Sequence, residues 1–123
     1  MENPIDVHKL MFGNYVRLDN GKIIKVDESS YLNSDLAFYP IRLSLEVLKK
    51  NGFKADIYDD TICKLKGYDE NDKYYDICID LKVVNACHIY GEDGKYRYEG
   101  AIMYIHELQQ MMNSCRVKKE III

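Results

Sequence analysis

The sequence predicts an α+β fold: an antiparallel sheet of about six to seven strands, opened by an N-terminal hairpin, with one short and one long helix. Three observations carry this reading. Residues 101–115 place Ala101, Tyr104, Ile105, Leu108, Met111, Met112 and Cys115 on one stripe at helical spacing. Residues 74–81 alternate, with Tyr75, Ile77, Ile79 and Leu81 set against Tyr74, Asp76, Cys78 and Asp80. Asn20-Gly21 lies between two short runs rich in Val, Ile and Leu, which is the signature of a tight hairpin.

Taken in chain order, Tyr15-Val16-Arg17-Leu18 and Lys22-Ile23-Ile24-Lys25-Val26 form the two arms of that hairpin. Asn-Gly supplies the two positive-φ residues of a type I′ turn. Apolar residues on both faces of the arms predict cover on more than one side. Residues 27–38 are polar, then mixed, and read as a connection. Ser44 N-caps a short helix over 45–51 that Gly52 closes, and Leu43 and Leu48 have the spacing of a hydrophobic staple. Turn signals at 59–60, 69–72 and 91–94 divide residues 54–99 into about four strands, which short loops make antiparallel neighbours. After the long helix, residues 117–123 read as a last strand. Their Ile121-Ile122-Ile123 end would be a liability if left unpaired.

A chain of 123 residues is read as a single domain, 1–123, large enough to bury a core without staples. Its 47% hydrophobic and 30% charged residues belong to a folded chain rather than a disordered one. A net charge of −3 argues against nucleic acid or an anionic membrane as partner, while leaving room for a small basic patch. The start, from Met1 and Glu2 to Asp6, has neither the basic nor the apolar region of a signal peptide. The longest apolar run, 101–105, is too short to span a membrane, so a cytoplasmic location is expected. There Cys63, Cys78, Cys87 and Cys115, separated by 15, 9 and 28 residues, are expected to be reduced and mostly buried.

Four patterns invite a chemical reading, and each has a plainer one. His106-Glu107-Leu108-Gln109-Gln110 opens like the zinc motif H-E-x-x-H, but Gln110 stands where the second imidazole is needed. Cys87-His88 pairs a thiol with a base, yet neighbours on a strand point to opposite faces. Cys87 falls with Val83, Asn85 and Ile89, and His88 with Val84, Ala86 and Tyr90. A catalytic Cys87 would therefore need a distant base such as His8 or His106. Asp69-Glu70-Asn71-Asp72 begins like a calcium loop, but Lys73 and Tyr74 replace a ligand and the sharp-turn glycine, so a solvated turn is the better reading. Lys95-Tyr96-Arg97-Tyr98 interleaves cations with aromatics as single-strand nucleic-acid platforms do, with both tyrosines on one face. Gly91 and Gly94 flank a hairpin turn rather than a strand-to-helix phosphate loop.

Several stretches resemble a family of small uncharacterised proteins from gut bacteria and their prophages. They are the opening Gly13-Asn14-Tyr15-Val16, the segment Pro40-Ile41-Arg42-Leu43-Ser44 and the helix end Leu48-Lys49-Lys50-Asn51-Gly52-Phe53. The helix Tyr104-Ile105-His106-Glu107-Leu108-Gln109 and the tail Lys118-Lys119-Glu120-Ile121 complete the set. The middle strands diverge. Ser114-Cys115-Arg116 stands where the family has Leu-Cys-Gly, which leaves the helix boundary open. The resemblance implies a bacterial or mobile-element origin and an α+β fold, with no activity attached.

The leading expectation is a cytoplasmic, non-enzymatic protein–protein interaction module that needs no cofactor or metal. It would bind a protein partner or a second copy through His106, Gln109, Gln110 and Asn113, the uncharged polar face of the long helix. The alternatives are single-stranded nucleic-acid binding through Lys95, Tyr96, Arg97 and Tyr98, and a small hydrolase using Cys87 or a metal at His106.

Overall fold

A computed structural model describes residues 3–32, 35–82 and 86–123; the expectations placed on Met1, Glu2, Val83, Val84 and Asn85 lie outside the described residues. The fold is α+β; the described residues form seven strands in two antiparallel sheets of two and five strands. The chain divides into two compact units, Met1–Arg42 with Tyr104–Gln110, and Leu43–Met103 with Met111–Ile123.

In the first unit, β1 (Tyr15–Arg17) and β2 (Ile23–Lys25) form the expected hairpin, with Val16 opposite Ile24. Val16, Leu10, Val26 and Phe38 are buried together, and Ile5, Val7, Leu18 and Ile24 pack against them. Ile23 is 48% exposed, so only one face of the hairpin is covered, not both. On its outer edge β1 gains a further neighbour, because Arg17 and Tyr39 exchange backbone hydrogen bonds of 2.9 and 2.7 Å.

The stretch read as a connection contains a helix, α1 (Glu28–Leu32). Its start is fixed reciprocally: the Asp27 carboxylate accepts from the Ser30 N–H, and the Ser30 hydroxyl accepts from the Asp27 N–H, each at 3.1 Å. That is a capping box built from Asp and Ser.

In the second unit, α2 (Leu45–Lys50) begins as its sequence predicts, with the Ser44 hydroxyl accepting from the Val47 N–H. Gly52, at φ +88°, turns the chain out of the helix. Strands β3 (Lys54–Ala55), β4 (Ile62–Tyr68), β5 (Tyr74–Asp80), β6 (Ala86–Gly91) and β7 (Tyr96–Ala101) then follow one another across the sheet, each antiparallel to the last. Cys63, Tyr75, Ile77, Ile79, Cys87 and Ile89 are buried on its inner face.

Three hairpins close with the same loop. The first residue donates its N–H to the carbonyl of the fifth, over 18–22, 69–73 and 91–95, at 2.8, 2.9 and 3.0 Å. The fourth residue, Gly21, Asp72 or Gly94, donates back to the first and sits in the left-handed region at φ +84°, +59° and +76°. This is a type I turn followed by a bulged residue, not the type I′ turn expected at Asn20-Gly21, since Asn20 keeps a negative φ. Leu18-Asp19-Asn20-Gly21-Lys22, Asp69-Glu70-Asn71-Asp72-Lys73 and Gly91-Glu92-Asp93-Gly94-Lys95 share an acid, an Asn or Asp, a Gly or Asp, and a Lys in register.

The helix α3 (Ile105–Ser114) is shorter than the stripe suggested, because Ala101 is the last residue of β7. Glu107 reaches back to accept from the Tyr104 N–H at 3.0 Å, which fixes the start. The end lacks glycine but closes in the glycine manner. Arg116 takes φ +61°, while Arg116 and Val117 donate to the carbonyls of Asn113 and Met112 at 3.1 and 2.9 Å.

The tail forms no strand. The Asn51 amide replaces one, donating to the Ile122 carbonyl at 2.7 Å and accepting from the Ile122 N–H at 2.8 Å. A carboxamide offers the same donor–acceptor pair as a backbone, so it can hold an extended segment without a ladder.

Candidate functional site

The four helix residues expected to meet a partner are placed very differently. Gln109 accepts from the Tyr15 N–H at 2.8 Å and donates to the Gly13 carbonyl at 2.9 Å. Gln110 donates to the Lys9 carbonyl and to the side chain of the buried Asn14, both at 2.9 Å. Asn14 in turn accepts from the Met11 N–H at 2.8 Å. Both amides thus hold the segment that leads into β1. His106 is buried, its ring stacked on Tyr104 with centroids 5.8 Å apart, and burial lowers its pKa. Its Nδ1 is shielded and has no hydrogen-bond partner among the described residues. Asn113 is exposed.

The run Lys95-Tyr96-Arg97-Tyr98 is split by a register shift between Ile89 and Tyr90. Tyr96 pairs with outward-facing Tyr90 and Tyr98 with buried Ile89, so the two tyrosines stand on opposite faces rather than sharing one. Arg97 donates to the Asp69 carboxylate at 2.9 Å and to the Cys115 carbonyl at 2.6 Å, closing the end of α3. Asp69 also accepts from the backbone of Asn71 and Lys73, at 2.8 and 3.0 Å. The Lys73 backbone bond, followed by those from Asn71 and Arg97, holds its carboxyl below the usual range against the cost of burial. The cavity of about 600 Å³ that Asp69, Lys73, Arg97 and Arg116 help to line is walled in part by the bonded pair Asp69 and Arg97, and one Arg97 nitrogen, Nη1, is shielded without a hydrogen-bond partner among the described residues.

The calcium-like loop is this same turn, its first carboxylate already bound to backbone and guanidinium. Cys87 and His88 do point to opposite faces. Cys87 is fully buried and its thiol is pushed up to about 12 by desolvation, which leaves almost no thiolate at neutral pH. Cys63 and Cys115 are buried too, while Cys78 is half-buried; all four are free thiols.

The outer face of the five-stranded sheet is where polar and aromatic groups gather without being consumed. The register places Tyr68 opposite Tyr74, the row Lys66, Asp76, Tyr90, Tyr96 across β4 to β7, and the row Lys64, Cys78, His88, Glu99 beside it. Tyr90 and Tyr96 have ring centroids 4.8 Å apart, and His88 lies 5.4 Å from Tyr96 and 6.3 Å from Tyr90. Tyr96 is 55% exposed and Tyr68 66%. The Tyr90 and Tyr96 hydroxyls approach to 3.5 Å, a bond that, ahead of burial, raises the Tyr90 pKa to about 12. Tyr90 therefore stays a neutral phenol at neutral pH.

Charge on this face is sorted by strand. Lys54, Lys64 and Lys66 lie on β3 and β4, while Asp76, Asp80 and Glu99 lie on β5 to β7. Asp76 carries one carboxylate oxygen that is shielded from solvent and accepts no hydrogen bond among the described residues. The sequence points to His88 through the Cys87-His88 pattern, to Asp76, Cys78 and Asp80 through the alternation of β5, and to Tyr96 and Lys95 through the cation–aromatic run. The shared turn pattern at 91–95 is the signal for Tyr90, since it sets Tyr90 opposite Tyr96.

No protein-family model, no characterised protein and no solved structure matches this chain. Among the described residues, no helix is long and apolar enough to cross a membrane.

Proposed function

We propose that the chain is a cytoplasmic, non-enzymatic protein–protein interaction module, and that its contact surface is the outer face of the five-stranded sheet. The bacterial or prophage origin implied by the resemblance belongs to the same reading. The observation that carries it is the cluster of His88, Tyr90 and Tyr96 on a solvent-facing sheet surface. Tyrosine offers a rigid, amphipathic area at low entropy cost and is enriched at protein contacts. Ile57 and Tyr58, in the connection from β3 to β4, add apolar surface that is 88% and 92% exposed. The amides of Gln109 and Gln110 already hold the chain itself, so the sheet rather than the helix carries the proposed contact.

The nucleic-acid alternative is weaker on this geometry. Of its four residues, Arg97 is committed to Asp69 and Tyr98 faces inward, while Asp76 and Glu99 would repel phosphate.

The reading is tested by panning a displayed heptapeptide library against the intact chain. Selected peptides should lose at least tenfold in affinity with Tyr90→Ser or Tyr96→Ser, about 1.4 kcal/mol or more for each anchor. Peptides that bind both variants as well as the parent chain would remove this surface from consideration.

A further inference from the structure

Resting on that reading, we infer that the sheet face takes a cationic side chain, arginine in preference to lysine, from an extended partner segment. It would be seated on Tyr90 and Tyr96 with Asp76 as its carboxylate. Three observations converge on this chemistry.

The outward residues of β5, β6 and β7 include Asp76, Asp80 and Glu99 and no lysine or arginine, so that part of the face is negative. The aromatic cluster lies within it. Asp76 is directly opposite Tyr90, and Glu99 is opposite His88 with 3.8 Å between its Oε1 and the imidazole Nε2. Opposed residues on neighbouring strands place their Cβ atoms about 5 Å apart, so a group resting on the Tyr90–Tyr96 rings is within reach of the Asp76 carboxylate.

The second observation is the state of that carboxylate. Lys66 stands opposite Asp76 on the other side, yet one Asp76 oxygen is shielded from water and accepts nothing from any described residue. An oxygen closed to water is closed to an arriving donor as well, so a ligand would meet this carboxylate through its other oxygen and through a charge that no donor of a described residue offsets at the shielded one.

Third, the aromatic rings and the carboxylate together ask for a flat cation. A guanidinium stacks on a phenol ring and directs its N–H groups sideways to a carboxylate, whereas an ammonium does one of these well at a time. An anionic ligand would meet three carboxylates.

The test uses the intact chain and four pools of blocked heptapeptides with random flanks and a fixed central residue: arginine, lysine, citrulline or glutamate. The arginine pool should be retained at least tenfold better than the citrulline pool, which differs only in charge and donor number, with lysine between them. Asp76→Asn should cut that preference threefold or more. Tyr96→Ser should abolish it, and Glu99→Gln, at a side chain 63% exposed, should lower it without disturbing the fold. Melting curves of each variant confirm folding.

Equal retention of the arginine and citrulline pools, or a preference that survives both Asp76→Asn and Tyr96→Ser, overturns the inference. If peptides are held through Tyr90 and Tyr96 without regard to the central cation, the interaction surface stands and only its ligand chemistry falls. If no pool is retained, both fall.

Discussion

The polar face of α3 carries neutral amides and the outer face of the five-stranded sheet carries charges and tyrosines, and the two behave in opposite ways. Each offers polar side chains on a regular element. On α3, the Gln109 and Gln110 amides are matched to backbone groups at Lys9, Gly13 and Tyr15 and to the Asn14 side chain. On the sheet, Tyr90 and Tyr96 lie against one another at a tilt of 36° and a carboxylate oxygen has no donor among the described residues. Neutral amides are cheap to desolvate and carry both donor and acceptor, so a fold uses them to hold irregular segments. A half-shielded carboxylate beside aromatic rings has no such match among the described residues, and that difference is why the proposed contact is placed on the sheet.

The sharpest way to break that contrast lies within one tetrapeptide. Arg97 is bonded to Asp69 and to the Cys115 carbonyl, while its neighbour Tyr96 is on the open face. Arg97→Ala should cost about 3 kcal/mol, because it strips a buried acceptor and a helix-end carbonyl of their donor at once. Tyr96→Ala should stay within about 0.5 kcal/mol, as surface changes do. Urea melts of the two variants compare them directly. Equal losses would mean that Tyr96 is structural and the open face is not open.

Next in size is the helix. Replacing Gln109 and Gln110 together by Ala leaves the Tyr15 N–H and the Lys9 and Gly13 carbonyls without their partners and should cost about 2–3 kcal/mol. Amide exchange at Tyr15 should accelerate in step. A double variant as stable as the parent would make this face a partner surface again.

Much of this fold was legible because local signals are strong where backbone geometry is demanding. The Ser44 cap, the burial of Leu43 and Leu48, the alternation along β5 and the hairpin at Gly21 all report a local constraint. What escaped is what depends on register or on a side chain standing in for backbone. One shifted residue near Tyr90 sends Tyr98 inward, and no pattern within Lys95-Tyr96-Arg97-Tyr98 announces it. The isoleucine-rich tail reads as a strand by composition, yet its pairing is supplied by the Asn51 amide. Five-residue α1 is too short to show a period, and its only trace is the Asp27–Ser30 cap. The aromatic cluster is similarly hidden. Tyr90 and Tyr96 are six residues apart in sequence, and only the loop type between them makes them neighbours.

The smallest expected effect separates the two regions most cleanly, because its sign is the opposite of the usual one. Asp has poor strand propensity, and Asp76 sits mid-strand with an unmatched oxygen. If that arrangement is kept for a ligand, removing it should help the fold. Asp76→Thr, which restores a β-branched residue and deletes the carboxylate, should raise stability by about 0.5 kcal/mol. Lys66→Thr, one strand away in the same row, supplies the reference. Its lysine is exposed but directly opposite Asp76, so its change combines propensity with the loss of that cross-strand charge. Chemical denaturation of both, at low and at high salt, gives the comparison. A gain at Asp76 that exceeds the gain at Lys66 and shrinks in high salt identifies an uncompensated charge held at a cost. A loss at Asp76 makes the carboxylate part of the framework, and the sheet face then resembles the helix face after all.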